Sequence, residues 1–300
     1  MSAVSGFAHP DYVASLREFG EPRVLPRSGG GLLLRRIPGS DLRDAMGPYP
    51  VFSCQDWTAL GEDLDALALE VVTVTVGADP FGASRQDLEG AFDRVVPLKE
   101  HYVADLSQDL NRLVKASHRE TVRRAQRRVR VELHPDPPGL LETWMDLYGV
   151  LTVRHGITGI RAFSREAFAR QLAIPGMTAF VAYEGPEVVC IDLWYQQGEV
   201  VQGHLAAASE SGYGSRAMYA TKWAMLEHFR TRARWVNFGG GAGTGEAADG
   251  LTRFKAGWSS GTRTAFLGCR VLQPDAYARL VSAAGGDPAY FPAYRAGEFS

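Results

Sequence analysis

From position 177 to 207 the chain presents three short apolar runs in succession, 178–183, 188–195 and 200–206. Glu184-Gly185-Pro186 and Gln197-Gly198 separate them, and such dipeptides punctuate strands with tight turns. The pattern predicts an antiparallel three-stranded meander. Two helical patterns come before it. One covers 140–153, with Leu141, Trp144, Leu147, Tyr148 and Leu151 on one stripe, and the other covers 164–172 behind a Ser164 cap. A long helix at 215–231 and an apolar strand at 235–238 come after it. This order commits the second half to an α/β (α+β) arrangement, a mixed and mostly antiparallel sheet flanked by helices.

The first half is patterned less sharply. Apolar runs at 31–36, 49–53 and 70–76 read as strands, the last β-branched at every position after Glu70. Residues 54–68 read as a helix with Ser53 as cap and Trp57, Leu60, Leu64 and Leu67 at helical spacing. Asp79-Pro80-Phe81-Gly82 marks a turn, 84–92 a helix, Tyr102-Val103 a short strand, and 109–128 a further helix stopped by Pro135-Asp136-Pro137-Pro138. No exact internal repeat is present. The expected organisation is two packed α/β units, 1–112 and 113–262, with 263–300 returning to complete the first.

Thirty-two basic against 34 acidic residues leave a net charge of −2, so no global field draws the chain to nucleic acid or membrane, and anion binding must be local. The apolar stretch at 66–76, interrupted by Glu70, falls well short of the roughly 20 residues a membrane span needs. Residues 1–12 lack a basic segment followed by an apolar core, so no secretory signal is expected. Cys54, Cys190 and Cys269 are odd in number and far apart, which suits buried, reduced thiols in a cytoplasmic protein.

The densest chemical signal lies between 234 and 258. Trp235-Val236-Asn237-Phe238 runs into a loop with Gly239, Gly240, Gly241, Gly243 and Gly245, and then into Gly250-Leu251-Thr252-Arg253-Phe254-Lys255-Ala256-Gly257-Trp258. Glycines let a backbone approach a ligand closely, and bare N–H groups there can cradle an anion. Lys255 adds a full charge between two aromatics. The same residues would also serve as a plain hairpin loop beside a surface lysine.

This segment resembles the Fem-like (FemABX-type) aminoacyltransferases of the GNAT acyltransferase superfamily, whose second domain ends in an apolar strand, a Gly-Gly-rich loop and Gly-Leu-x-x-Phe-Lys-x-Gly-Trp. The matching positions are Gly239, Gly240, Gly241, Gly250, Leu251, Phe254, Lys255, Gly257 and Trp258. Weaker matches are the helix with Arg123, Arg124, Ala125 and Arg128 and the one with Tyr219 and Trp223; the likeness covers about 110–265. The resemblance implies two GNAT-like units and an acyltransferase forming amide bonds. It also implies Lys255 in catalysis, and Phe254, Trp258, Gly239, Gly240, Gly241 and Tyr219 at the donor.

Residues 115–130 carry Lys115, Arg119, Arg123, Arg124, Arg127, Arg128 and Arg130 against Glu120 alone. Arg119, Arg123 and Arg127 recur every fourth position, and like charges so placed repel unless an anion relieves them. Arginine forks suit phosphates, and a basic stripe suits an RNA backbone. A solvated face with salt bridges is the plainer alternative. Gly212-Tyr213-Gly214 lies where GNAT enzymes hold the pyrophosphate of acyl-CoA, but Ser209 stands at the position expected to be Arg or Gln. Asp192 and His204, on strands of the meander, are candidate general bases. Arg154, at a helix end, is a candidate substrate contact or a C-terminal cap.

The reading that results is transfer of an aminoacyl group from aminoacyl-tRNA to the amine of a peptide or small-molecule acceptor, with no cofactor and no metal. An acyl-CoA-dependent N-acyltransferase and a non-catalytic module binding RNA or protein through 115–130 are the alternatives.

Overall fold

The computed structural model describes residues 4–241, 250–287 and 289–298. The chain begins with α1 (Pro10–Ser15), β1 (Glu21–Val24), β2 (Gly31–Arg36), β3 (Arg43–Met46), α2 (Leu60–Ala66), β4 (Thr73–Gly77) and α3 (Arg85–Glu89). α3 starts where it does because Ser84 and Asp87 form a reciprocal capping box. A long strand, β5 (Arg94–Asp105), follows, then α4 (Leu110–Leu113), α5 (Ala116–Ala125), β6 (Arg130–His134), α6 (Leu141–His155) and α7 (Arg165–Gln171). The meander is β7 (Met177–Glu184), β8 (Glu187–Gln197) and β9 (Val200–Ala208). After it come α8 (Glu210–Ser215), α9 (Ala217–Phe229), β10 (Trp235–Asn237), α10 (Gly250–Ala256), β11 (Gly261–Val271) and α11 (Pro274–Ala284).

The chain divides into two units. One comprises residues 7–98, 159–161 and 264–300; the other comprises 1–6, 99–158 and 162–263. The divisions fall inside β5 and β11, so each of these strands lends one part to each unit. In the first unit the strands lie in the order β1-β2-β3-β4-β11, antiparallel except for β3 against β4. Leu32, Leu34, Val74 and Val76 on its strands pack with Phe52, Trp57, Leu60 and Leu64 as a core. In the second unit the order is β5-β10-β9-β8-β7-β6, antiparallel except for β9 against β10. α9 packs on β7 and β8, and α6 on β8 and β9. The mixed, mostly antiparallel sheet flanked by helices is the one the residue pattern anticipates. The order helix, helix, three strands, helix, strand is also present.

Several segments differ from expectation. Residues 49–53 form no strand beyond a bridge from Phe52 to Ala78, because Pro48 and Pro50 remove donors a ladder needs. The helix expected over 109–128 is broken: Val114 and Lys115 are extended, and the Lys115 N–H donates to the Gly257 carbonyl at 2.9 Å. The helix expected over 54–68 is confined to α2. Gly212, Tyr213 and Gly214 are not a turn but part of α8, capped by the Ser209 hydroxyl on the Gly212 N–H at 3.1 Å. The three cysteines are buried and unbridged. Among the described residues no helix is long and apolar enough to cross a membrane.

Candidate functional site

β10 lies between β9 and β5, and its end sets the geometry of the glycine loop. After Asn237 the chain stays tied to β5: Phe238 N–H donates to Tyr102 O at 2.9 Å, and Tyr102 N–H donates to Gly239 O at 3.1 Å. Gly239 then turns with φ 75°, a left-handed conformation that a side chain would strain. A Cβ on Gly240 would press on the Lys99 stem and the Glu100 carbonyl. Gly243 and Gly245 lie outside the described residues. Lys255, half-buried on α10, donates from Nζ to the Gly240 carbonyl at 2.6 Å. The structure thus brings Lys255 and Gly239–Gly241 into one cluster.

The rest of the Phe-Lys-x-Gly-Trp segment docks α5. His118 sits in an aromatic cluster with Tyr219 at 5.0 Å, Phe254 at 5.8 Å and Trp258 at 5.1 Å between ring centroids. Its Nε2 lies 3.0 Å from the Phe254 carbonyl, and burial lowers its pKa. A Cβ at Gly257 would overlap the imidazole, which explains a glycine there. Trp258 is fully buried in the core of this unit, so its part is packing and not donor contact. Phe254 and Tyr219 are half-buried against the same core. The basic helix and the lysine segment therefore share one scaffold.

On that helix the arginines differ. Arg124 pairs with Glu120, and Arg128 pairs with Glu184 at 3.4 Å while donating to Gly214 O at 3.2 Å. Arg119 is half-buried near Asn111. Arg123 and Arg127 are exposed and form no ion pair with any described residue. Three of the five expected anion contacts, Arg119, Arg123 and Arg127, thus form no ion pair with a described residue, and of these Arg123 and Arg127 are exposed.

Other candidates lie apart from Lys255. Asp192 is fully buried and bound to Lys222 Nζ at 2.7 Å, with that ammonium 4.5 Å above the Trp194 ring. A carboxylate already paired in a sealed core is not placed to take a proton from a substrate. His204 is buried with Nε2 2.9 Å from Gln171 Oε1 and stacked on Phe163, and burial pushes its pKa down to about 3. It is a core residue and not the expected base. Arg154 lies over the Tyr213 ring at 4.1 Å and pairs with Glu210 at 2.8 Å, which holds the end of α6 to α8. Helix termination itself falls to Gly156 in a left-handed conformation.

The sequence reading missed a polar group next to the glycine loop. Asn237 Oδ1 accepts from the Gly239 N–H at 2.9 Å, and Asn237 Nδ2 donates to Gln202 Oε1 at 2.8 Å. His101 on β5 places Nδ1 3.2 Å from the same Asn237 Oδ1. All three side chains are buried. Burial, followed by the charges of Lys255 and Lys99, lowers the His101 pKa to about 4. Asn237 was visible as a polar residue in an apolar strand just before the glycines. His101, among Lys99, Glu100 and Tyr102, gave no signal.

No family profile matches the chain, and no curated protein matches its sequence. Solved structures do share its fold. FemX superposes with a TM-score of 0.64 at 14% identity, covering 90% of this chain and 92% of that one. The C-terminal domain of a putative lysylphosphatidylglycerol synthetase from Agrobacterium fabrum gives 0.61 at 14% identity, with 93% and 92% covered. L-PGS from Bacillus licheniformis gives 0.61 at 16% identity, with 89% and 88% covered. The chain is thus similar in fold to the Fem-type structures that its glycine–lysine segment resembles.

Proposed function

We propose that this protein is an acyltransferase that moves an aminoacyl group from aminoacyl-tRNA to the amine of a peptide or small-molecule acceptor. The observation that carries this reading is the docking of the Phe254–Trp258 segment onto α5. Lys255 and the glycine turn are thereby built on the same scaffold as Arg123 and Arg127. The turn would admit the aminoacyl end of the donor, with Lys255 beside its carbonyl, while the exposed arginines would meet the phosphate backbone. Aminolysis of an ester needs positioning, an electropositive group for the oxyanion and a proton acceptor, and no metal. The likeness in fold to FemX and to the two synthetase structures supports the transferase class.

A second donor, acyl-CoA, is disfavoured by one feature. The Gly212 amide, which a pyrophosphate loop would offer to its ligand, is capped by Ser209. The test is incubation with bulk tRNA charged with radiolabelled amino acids and a panel of dipeptides, polyamines and amino sugars, and in parallel with labelled acetyl-CoA. Acid-stable amide formed from the charged tRNA supports the reading. Amide formed only from acetyl-CoA contradicts it.

A further inference from the structure

Lys255 leaves half of the chemistry unassigned. An ammonium can stabilise an oxyanion but has no lone pair with which to accept a proton. An attacking amine must lose one. His101 supplies the missing lone pair. The Gly239 N–H can only donate, so the Asn237 atom facing it is oxygen. That oxygen also faces His101 Nδ1 at 3.2 Å, so Nδ1 carries the hydrogen and Nε2 is left as the basic nitrogen. The amide is anchored at its other end by the bond from Nδ2 to Gln202. His101 Nε2 is not among the sealed polar atoms of the described residues that lack a hydrogen bond. Burial and the neighbouring lysine charges hold the ring neutral above a pH of about 4.

Resting on the aminoacyl-transfer reading, we propose that His101 Nε2 is the proton acceptor of the transfer step, with Asn237 and Gln202 as positioning residues. The acceptor nitrogen attacks the ester carbonyl carbon of the aminoacyl-tRNA. The new C–N bond forms, and the proton released from that nitrogen passes to Nε2. The C–O bond to the ribose then breaks, and the leaving oxygen takes the proton back from Nε2. The products are an amide and a tRNA with a free ribose hydroxyl, with no electron gained or lost. A weak base suffices, because the much more basic alkoxide reclaims the proton.

The test uses the whole protein, bulk charged tRNA and whichever amine of the panel the wild type accepts best. His101→Gln should lower kcat about 100-fold, with tRNA affinity, both KM values and Tm unchanged. Asn237→Asp places a carboxylate against the Nδ1 hydrogen and should move the acid limb of kcat to higher pH. The charged groups acting on the ring are Lys255, Lys99 and Glu100, and all three remain in that variant. An unaltered kcat in His101→Gln, or a loss matched by equal losses of tRNA affinity and Tm, overturns the inference while aminoacyl transfer stands. If His101→Gln does not fold, an unmoved acid limb in Asn237→Asp overturns it. No transfer by the wild type from any charged tRNA overturns the underlying reading instead.

Discussion

Lys255 and His204 show how one unit assigns opposite duties to its ionisable groups. Lys255 is half-buried, at the end of a helix, against a backbone carbonyl. Its removal should leave the core intact while taking away the charge proposed to stabilise the oxyanion. Lys255→Ala should cut turnover by roughly 10²–10³ with Tm nearly unchanged, measured by amide formation and thermal unfolding. His204 is the reverse case. Its pKa is about 3 when folded and near 6.5 in an unfolded chain, so between those values the unfolded state binds the extra proton. Stability therefore rises with pH across that window and is lost as pH falls through it. Replacing His204 with Leu should make the pH dependence of unfolding between 4 and 6.5 shallower, by up to one proton. An unchanged slope would mean that the ring is not sealed as described.

At the scale of elements, α5 and its docking segment decide the anion-binding claim. The break at Val114 and Lys115 gives Gly257 a backbone partner and turns His118 into the aromatic cluster. The outer face is then left to the arginines. Because Arg124 and Arg128 are engaged by Glu120 and Glu184, they should matter less than Arg123 and Arg127. Arg123→Gln with Arg127→Gln should weaken tRNA binding and reduce the slope of log K against log salt by about 1.5. Arg124→Gln with Arg128→Gln should change it much less. Equal effects from both pairs would make the helix a generic basic surface.

Across the whole molecule, what could be read from the sequence follows how local each signal is. β7, β8 and β9 were legible because continuous apolar runs and Gly turns sit within about thirty positions of one another. The glycine–lysine segment was legible as a motif, although Trp258 and Gly257 proved to serve packing. β5 was read only at Tyr102-Val103, since Pro97, Lys99 and Glu100 hide a strand that depends on distant partners. His101 belongs with Asn237, 136 positions away, and no local pattern announces a pair at that separation. A separation of 30 positions likewise kept the Lys222 partner of Asp192 out of sight.

In the proposed reading the aminoacyl donor lies against the turn at Gly239–Gly241 beside Lys255, and not at Gly212–Gly214. Steady-state KM values for donor and acceptor in Gly240→Val and Gly214→Val test it directly. A Cβ at Gly240 presses on the Lys99 stem and the Glu100 carbonyl, whereas one at Gly214 meets open space. Gly240→Val should raise the KM for charged tRNA and leave the acceptor KM unchanged, and Gly214→Val should give near-wild-type values. A raised donor KM in Gly214→Val, with Gly240→Val affecting only the acceptor, would contradict it.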